Sequence, residues 1–426
     1  MKTTSCVVVV GYNGNRVQDI QKLRDLCKTL YNARLILVVE RIAPEDDQVA
    51  DHVCSASLAP QDVAESLELV AGCLDVDRWK LIGVLPFSDR GVLLGAALAT
   101  YYGLPGITPG EARAGLDKQI FRKLEAACDT APDDYRPVFS TRVESLGELR
   151  QRVVELGGKA FIKPACEGAS RGCRVIHHPS ECDEAWQALK PYREGGIVLE
   201  ELVRDAREYS WDYVAGSTWV TEKTTTEGAF RAEIQQVVPA PLTQGVQARL
   251  GAAGRHMSGL VSLDNGAYHN EIFLRSDGLT SAVETNMRPG GMHIWDLARL
   301  AFVDFNPWEH WVRWAVEGKT AQQDPVARGY CGIRLLRAPA AGLLRDLPDI
   351  ESLARELNIE LVEAAYEKRV GDTVMAQVKD NTAFIGHIVL FSEHYDQLNN
   401  ELLRLAEAIE SRVGVNCLAS PVRAVG

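Results

Sequence analysis

The first hundred residues alternate continuous apolar runs with amphipathic segments, and this alternation restricts the fold more than any other feature of the chain. The run SCVVVVGYN precedes VQDIQKLRDLCKTLY, which has helical spacing, and then comes the apolar run ARLILVVE. Such runs predict strands that are buried on both faces, as in a parallel sheet. DVAESLELVAGCL, KLIGVLPF and GVLLGAALATYYGLPGIT continue the pattern as helix, strand and helix. We therefore predict an α/β protein whose N-terminal domain, residues 1–112, is a doubly wound parallel sheet.

Composition limits the functions that such a chain can have. The 426 residues carry a formal net charge of −12, which argues against nucleic acid or an anionic membrane as the main partner. No stretch reaches the ~18 apolar residues of a membrane helix, and the N-terminal apolar run is too short for a secretory signal. Ten cysteines without a C-x-x-C pair predict mostly buried, reduced thiols. We expect a cytoplasmic protein that acts on small molecules.

A second unit begins beyond residue 112 and contains a candidate phosphate site. The helix pattern EARAGLDKQIFRKLEAA is followed by KAFIKPACEGASRGCRVI, which predicts a strand, a glycine-containing loop and a second strand. Backbone N–H groups in such a loop, together with nearby hydroxyls and cations, can bind phosphate oxygens. The candidates are Lys118, Lys163, Gly168, Ser170, Arg171 and Gly172. Taken singly, each lysine has the alternative of being a solvated surface charge.

The segment GGIVLEELVRDAREYSWDYV predicts a strand, a polar turn and another strand. One interpretation is a plain connection with exposed acids. The other is a hinge between two lobes, in which backbone groups near Leu202 and Val203 bind an adenine edge and Glu208 accepts hydrogen bonds from ribose hydroxyls. The residues alone leave both interpretations open.

The segment YHNEIFLRSDGLTSAVETNMR predicts a hairpin around the turn at residues 276–278. With a four-residue loop, Arg275 faces Thr280. The same register puts Glu271 directly across from Glu284 on the neighbouring strand. Two carboxylates that lie ~5 Å apart repel each other, so a cation should sit between them.

The same face of this hairpin carries further polar groups. Asn286 shares the face of Glu284 by strand periodicity, and Arg288 follows if the strand continues. Two acids and an amide are oxygen ligands suited to Mg²⁺, which bridges phosphate oxygens. Arg288 would then face negative charge on a transferred phosphoryl group. A salt-bridged surface hairpin is the alternative interpretation.

As a set and in this order, the motifs resemble those of the ATP-grasp superfamily. The matching stretches are DKQIFR, FIKPACEGASRG, VLEELVRDAREYSWD, HNEIFLRSDG and VETNMRPGG, and the resemblance covers nearly the whole chain. It implies an ATP-grasp domain over residues 113–325, with a small lid lobe at about 125–203. It also implies an N-terminal pre-ATP-grasp domain and a C-terminal α/β cap over residues 326–426. The implied cofactors are ATP and Mg²⁺, with Mn²⁺ as a substitute.

The resemblance also implies a role for each matching residue. Lys118 and Lys163 would bind ATP phosphates beneath the lid EGASRG, which contains Ser170, Arg171 and Gly172. Adenine would be held by Glu200 and the backbone of Glu201 and Val203, and ribose by Glu208. Magnesium would be coordinated by Glu271, Glu284 and Asn286, while Arg288 steadies the intermediate.

Within the superfamily, the chain looks most like the carboxylate–amine ligases that join two amino acids, the L-amino acid ligases. GVLPFSDRGVLLGAALATYYGLPGIT, HNE and RPGGMHI carry this likeness. It implies a monomer or homodimer that activates an amino-acid carboxylate as an acyl phosphate, which an amine attacks to form a dipeptide or similar amide. Biotin carboxylase is similar in length and layout, but MRPGGMHIW stands where that family has an R-L-Q-V-E-H run. A regulatory ATP-binding protein without turnover is the other alternative.

Residues that flank the hairpin are candidates for an amino-acid pocket. His293 would lie near the acyl phosphate, and Trp295 would limit the size of the substrate side chain. The full set is His269, Gly290, Gly291, His293 and Trp295. Trp308, Trp311 and Trp314 repeat at helical spacing and are predicted to be core. No catalytic constellation appears in the C-terminal segment.

Overall fold

The computed structural model describes residues 4–12, 16–74, 79–168, 170–227, 230–321 and 323–417. Its N-terminal sheet has four parallel strands in the order β3-β2-β1-β4, as predicted for a doubly wound unit. The strand order changes direction at β1, which lies between β2 and β4, and a crevice opens beyond the carboxyl ends of β1 and β4. The strands are β1 (Thr4–Val10), β2 (Arg34–Val39), β3 (His52–Ser55) and β4 (Trp79–Pro86). The helices are α1 (Val17–Tyr31), α2 (Asp46–Val49), α3 (Val63–Cys73), α4 (Gly91–Tyr102) and α5 (Pro109–Ala112).

A small lobe follows the helix α6 (Lys118–Ala127). Its four antiparallel strands lie in the order β5-β8-β6-β7, and two helices cover one face around a separate apolar core. The strands are β5 (Ser140–Val143), β6 (Ala160–Pro164), β7 (Arg174–Ile176) and β8 (Ile197–Glu201), and the helices are α7 (Leu146–Glu155) and α8 (Cys182–Ala188). The predicted glycine-containing loop therefore joins the adjacent strands β6 and β7.

An eight-stranded antiparallel sheet forms the largest layer, in the order β13-β12-β9-β10-β11-β14-β18-β16. Its strands are β9 (Ala206–Val214), β10 (Ser217–Thr225), β11 (Glu233–Val238), β12 (Ala267–Arg275), β13 (Thr280–Asn286), β14 (Tyr330–Leu336), β16 (Leu361–Tyr366) and β18 (Gly386–Ser392). The C-terminal strands β14, β16 and β18 thus extend the sheet of the preceding unit. The predicted boundary at residues 325 and 326 falls between strands of one sheet.

The remaining elements pack around this sheet. β15 (Gly342–Asp346), β17 (Thr373–Val374) and β19 (Gly414–Cys417) form a third small sheet. The helices are α9 (Gln244–Val261), α10 (Ile294–Ala301), α11 (Pro307–Glu317), α12 (Ile350–Glu356) and α13 (Tyr395–Arg412). Among the residues with described structure, none of these or the earlier helices is both long and apolar enough to cross a membrane.

The hairpin β12-β13 confirms one part of the predicted register and corrects another. Glu271 lies opposite Glu284, as predicted. A β-bulge between Glu271 and Ile272 then shifts the pairing by one residue, so that Leu274 and not Arg275 faces Thr280. The bulge falls beside the paired carboxylates, a common position for such irregularities in functional sheets.

The core confirms the predictions for tryptophan and cysteine. Trp308, Trp311 and Trp314 on α11 are buried, and the ring of Trp308 stacks on Phe87 with the centroids 6.0 Å apart. This contact fixes α11 against the end of β4. All nine cysteines whose side chains are described are free, and five of them are buried.

Candidate functional site

A cavity of about 1710 Å³ lies between the three larger sheets. Its walls come from the carboxyl ends of β1, β2 and β4, from the small lobe, and from the eight-stranded sheet. Most of the predicted site residues line it: Lys118, Lys163, Ser170, Arg171, Glu200, Glu201, Val203, Glu208, His269, Glu271, Glu284, Arg288, Gly291 and His293. Four of the predicted residues, Gly172, Asn286, Gly290 and Trp295, are not part of this wall.

Three of those four residues still shape the site from behind. Asn286 donates from Nδ2 to Glu284 Oε1 over 3.1 Å and to the carbonyl of His269 over 3.2 Å. Gly172 has a φ of +71°, and a Cβ there would lie 2.8 Å from Pro164 Cγ, so the end of the loop between β6 and β7 requires glycine. A Cβ on Gly290 would lie 3.0 Å from His269 Nδ1.

Trp295 does not occupy the position that the sequence suggested. Its side chain is fully buried and packs edge-on against Trp308 and Trp311, with centroids 4.9 and 5.4 Å apart. The residue is the second of α10, whose apolar face turns toward the core. Trp295 therefore cannot limit the size of a substrate side chain directly.

The two predicted phosphate lysines are held by acidic partners. Lys118 Nζ lies 3.1 Å from Glu284 Oε2 and donates to the carbonyl of Glu167 over 2.6 Å. Burial lowers the pKa of this ammonium, but Glu284 more than offsets that and raises it above its usual value. Lys163 Nζ lies 2.8 Å from Glu200 Oε2. Both lysines are therefore held in place by ion pairs, and their side chains have limited freedom.

Glu200 organises a buried ion cluster as well as lining the cavity. Its Oε1 accepts from Arg122 Nε over 2.8 Å, and Arg122 also bonds Glu125 Oε2 over 2.8 Å. The Nη2 of Arg122 donates to the carbonyls of Ala282 and Val283 on β13, over 2.9 and 3.1 Å. Both oxygens of Glu200 are thus engaged, and the carboxylate connects the small lobe to α6 and to the hairpin.

We expect Glu200→Gln to destabilise the protein by about 3 kcal/mol at pH 7. Burial raises the pKa of this carboxyl, but Arg122 and Lys163 dominate and lower it from 4.5 to about 2. A pKa that is lower in the folded state stabilises the fold above pH ~4.5, and this contribution disappears as the pH falls toward 2. Urea unfolding at pH 7 and pH 3 should show the difference between variant and wild type shrinking at pH 3. An equal difference at both pH values would contradict the assignment.

Four charged side chains from four adjacent strands meet at the floor of the cavity. Lys223 on β10 places Nζ 3.0 Å from Glu208 Oε1 and 2.6 Å from Glu271 Oε1, and it also contacts Glu233. The Lys223 side chain is fully buried, and the three carboxylates lie within 4.8 Å of one another. An ammonium therefore occupies a position that three acids could otherwise offer to a metal ion.

This cluster shifts the pKa values of Glu208 and Glu271 in opposite directions. Burial and the neighbouring acids raise the pKa of Glu208 to about 7, although Lys223 opposes the shift. Burial also raises the pKa of Glu271, but Lys223 and His269 outweigh it and lower that pKa below its usual range. Glu271 is consequently the more firmly ionised carboxylate of the two, which suits a metal ligand.

A buried chain of hydrogen bonds, from Asp212 through His269, also orients Glu271. Asp212 is fully buried and accepts from Ser210, Thr221 and His269 Nδ1, each over 2.7 Å. The other ring nitrogen of His269 lies 3.2 Å from Glu271 Oε1. Burial lowers the pKa of His269, but Asp212 more than compensates and raises it to about 9. His269 thus holds a carboxylate in place and leaves little of its ring for a substrate.

Arg288 is anchored by a residue of the N-terminal domain. Its Nε and Nη2 form a two-pronged ion pair with Asp89 Oδ1 and Oδ2, over 2.8 and 2.9 Å. Nη1 donates to the carbonyl of Pro289 over 2.9 Å. Asp89 follows β4 and also faces the lid, where a Cβ on Gly168 would lie 3.2 Å from Asp89 Oδ2. The guanidinium is therefore fixed at the junction of three parts of the fold.

The residues present fit a magnesium ion at the hairpin. Glu271 and Glu284 face each other in register, and Asn286 supports Glu284. Lys223 and His269 both contact Oε1 of Glu271, so its other oxygen is the one that remains available to a metal ion. Carboxylate oxygens with an amide nearby are the donors that Mg²⁺ prefers.

Several of the residues that hold this site together were missed by sequence reasoning. Arg122 follows Lys118 at the i, i+4 spacing of one helix face, and that spacing was a usable signal. Lys223, Asp212 and Asp89 gave no such signal, because each meets its partners only through strand pairing or domain packing.

Comparison with known proteins identifies the fold. No protein-family model and no curated protein matches the sequence. An L-amino acid ligase from Bacillus licheniformis matches with a TM-score of 0.77 at 14% identity, covering 98% of this chain and 100% of its own. The chain has the ATP-grasp fold.

Two further structures with the ATP-grasp fold match over nearly the whole chain. A phosphoribosylglycinamide synthetase from Anaerococcus prevotii has a TM-score of 0.64 at 13% identity, covering 98% of this chain and 100% of its own. A carboxyaminoimidazole ribonucleotide synthase from Aspergillus clavatus, complexed with ATP, has a TM-score of 0.68 at 13% identity, covering 96% and 99%. These likenesses confirm the predicted fold class.

Proposed function

We propose that the protein is an ATP-dependent ligase that activates a carboxylate as an acyl phosphate and joins it to an amine. The observation that carries the proposal is the arrangement within one cavity of two anchored lysines, two facing carboxylates and a fixed arginine. They are Lys118, Lys163, Glu271, Glu284 and Arg288. Phosphoryl transfer depends chiefly on positioning and on neutralising charge, and this set supplies both.

Each part of the cavity has a role in this proposal. Lys118 and Lys163 bind the phosphates of ATP, covered by the loop that contains Ser170 and Arg171. The backbone of Glu201 and Val203 holds the adenine edge. Glu200, whose oxygens are engaged by Arg122 and Lys163, acts by positioning Lys163. Glu208 keeps its proposed contact with ribose, since about one sixth of its side chain is exposed toward the cavity.

Glu271, Glu284 and Asn286 would hold magnesium, which neutralises charge on the phosphates when bound.

The substrate carboxylate attacks the γ-phosphorus, the bond to the β-phosphate oxygen breaks, and ADP leaves. The amine nitrogen then attacks the acyl carbon, the C–O bond to phosphate breaks, and the amine releases a proton. Arg288 faces the negative charge of the transferred phosphoryl group. Amino acids are the proposed substrates, with a dipeptide or similar amide as product.

The test is release of ADP and phosphate from Mg·ATP with pairs drawn from the twenty amino acids, followed by mass spectrometry. Release that requires two amino acids, with a product lighter than their sum by one water, supports a dipeptide ligase. Release that depends on bicarbonate instead would favour a carboxylase. ATP binding without release in the presence of any acid would favour a regulatory protein.

Arg288→Ala should lower kcat by on the order of 10²-fold, because the guanidinium stabilises charge that develops in the transition state. The affinity for ATP should change much less, and separate measurement of kcat and of the KM for ATP distinguishes the two effects. Arg299→Ala is the matched control, since Arg299 is exposed in the last turn of α10. Wild-type turnover by the Arg288 variant would contradict its proposed role.

A further inference from the structure

Part of the cavity wall has no role in the proposed mechanism. Arg16, just before α1, and His387, on β18, both line this wall and are 8% and 5% exposed. Arg16 Nη2 and both ring nitrogens of His387 are buried, and none has a hydrogen-bond partner among the described residues. Buried donors without partners are uncommon, and each destabilises the fold unless a ligand provides an acceptor.

The Arg16 guanidinium is held in a fixed orientation. Nε donates to Asp19 Oδ2 over 2.8 Å, and the guanidinium carbon lies 4.4 Å from the centroid of the Phe87 ring. Phe87 itself is stacked on Trp308 in the core. Because Nε is bound to Asp19 and the guanidinium packs on the Phe87 ring, the unpartnered Nη2 is a preorganised hydrogen-bond donor.

His387 forms long ion pairs with two acids, and its two ring nitrogens make no hydrogen bond with the described residues. Glu363 Oε1 lies 3.8 Å from Nε2, and Glu367 Oε1 lies 3.5 Å from Nδ1, in positions that do not make hydrogen bonds. Burial lowers the pKa of the ring, but these two acids outweigh it and raise the pKa to about 9. At neutral pH both ring nitrogens therefore carry hydrogen, and each can donate a hydrogen bond to a ligand.

A chain of contacts connects Arg16 to His387 across three parts of the fold. Lys22 Nζ bridges Asp19 Oδ1 and Asp296 Oδ2, over 3.0 and 2.7 Å. His293 Nδ1 lies 3.8 Å from the same oxygen of Asp296, and its ring centroid is 5.0 Å from that of His387. His293 also lines the cavity, only five residues after Arg288. A continuous set of contacts thus connects the two unpartnered donors, and Arg16, His293 and His387 all line the same cavity.

We propose that Arg16 and His387, with His293 between them, form a subsite for an oxyanion carried by the amine substrate. The inference rests on the proposed function, because it specifies the amine: a molecule that bears an anionic group besides its reacting nitrogen. For an amino acid this group is the free carboxylate that survives as the C-terminus of the product. An amine that bears a phosphate offers the same acceptor chemistry.

The test is calorimetric binding in the presence of magnesium and a non-hydrolysable ATP analogue. The probes are the twenty amino acids, their carboxamides, and inorganic phosphate. We expect at least one amino acid, or phosphate, to bind the wild type. Arg16→Gln and His387→Gln should each weaken that binding by about 10-fold or more, since each removes a charged hydrogen-bond donor. Carboxamides should bind far more weakly than the corresponding acids.

Controls separate this effect from misfolding. Arg34→Gln and His310→Gln change the same residue types at positions outside the cavity wall and should leave binding unaltered. Arg16→Lys keeps a cation for Asp19 but removes the Nη2 donor, so it should also weaken binding. Binding by amino acids but not by phosphate identifies a carboxylate as the natural group, and the converse identifies a phosphate.

Two results would overturn the subsite: equal binding of acids and carboxamides, or unchanged oxyanion binding in folded Arg16 and His387 variants. The proposed function is tested separately, by trapping an acyl phosphate as a hydroxamate with hydroxylamine and wild-type enzyme. Hydroxylamine carries no anionic group, so this reaction reports carboxylate activation alone. Failure of trapping with every acid would therefore count against the ligase and not against the subsite.

Discussion

Glu284→Gln should reduce ATP-dependent turnover by on the order of 10³-fold or more, because it removes charge from a group that faces both Glu271 and Lys118. Glutamine has almost the same shape and can still accept from Asn286. The fold should therefore survive, with a melting temperature close to that of the wild type. Steady-state phosphate release and thermal unfolding of the same preparation measure the two quantities.

The Mg²⁺ dependence of this variant gives a second readout. If Glu284 holds the metal, the Mg²⁺ concentration that half-saturates any residual activity should rise well above the wild-type value. Glu309→Gln is the matched control, since Glu309 lies on α11 away from the cavity and pairs with Arg313. A Glu284 variant with normal turnover and normal Mg²⁺ dependence would remove the hairpin from the proposed site.

Lys223→Met should destabilise the protein by about 3–5 kcal/mol, because it leaves buried carboxylates without their common cation. The three acids lie within 4.8 Å of one another, and the Lys223 side chain is fully buried. Without the ammonium, their pKa values should rise above those of the unfolded chain. The destabilisation should then be largest at high pH and should shrink as the pH falls and the acids become protonated.

A divalent cation should partly rescue this variant. The space left by the ammonium is lined by Glu208, Glu233 and Glu271, so added Mn²⁺ or Ca²⁺ should raise the melting temperature of Lys223→Met more than that of the wild type. Lys319→Met, at an exposed position, should show neither the loss nor the rescue. If Lys223→Met is as stable as the wild type at pH 8, the ammonium does not hold the cluster together.

Local patterns were sufficient to predict the parts of the site that lie on one element or one hairpin. The period of a strand puts Glu271 opposite Glu284, and the period of a helix puts the three tryptophans of α11 on one buried face. The β-bulge was not predictable, because nothing in the hairpin sequence distinguishes a four-residue loop from the observed register. The prediction that Trp295 limits the size of the substrate side chain was wrong for a related reason. Its nearness to Arg288 in sequence does not determine the direction of its side chain.

Contacts between residues on separate strands and helices could not be predicted from a single sequence. Lys223 meets acids from β9, β11 and β12 only because those strands flank β10 or lie one strand further along the sheet. Asp89 reaches Arg288 across 199 positions of the chain. Arg16 and His387 lie at opposite ends of the sequence. Such pairs depend on tertiary packing, which leaves no periodic trace in either segment.

The eight-stranded sheet has a mechanical consequence. Because β14, β16 and β18 are hydrogen-bonded into the same sheet as the hairpin β12-β13, the wall that carries His387 cannot rotate independently of Glu271 and Glu284. The small lobe has its own sheet and core, and its last strand, β8, joins β9 through a connection of only four residues, 202–205. Under the proposed function, any closure of the cavity would therefore come from movement of the small lobe, and the amine would bind against the more rigid eight-stranded sheet.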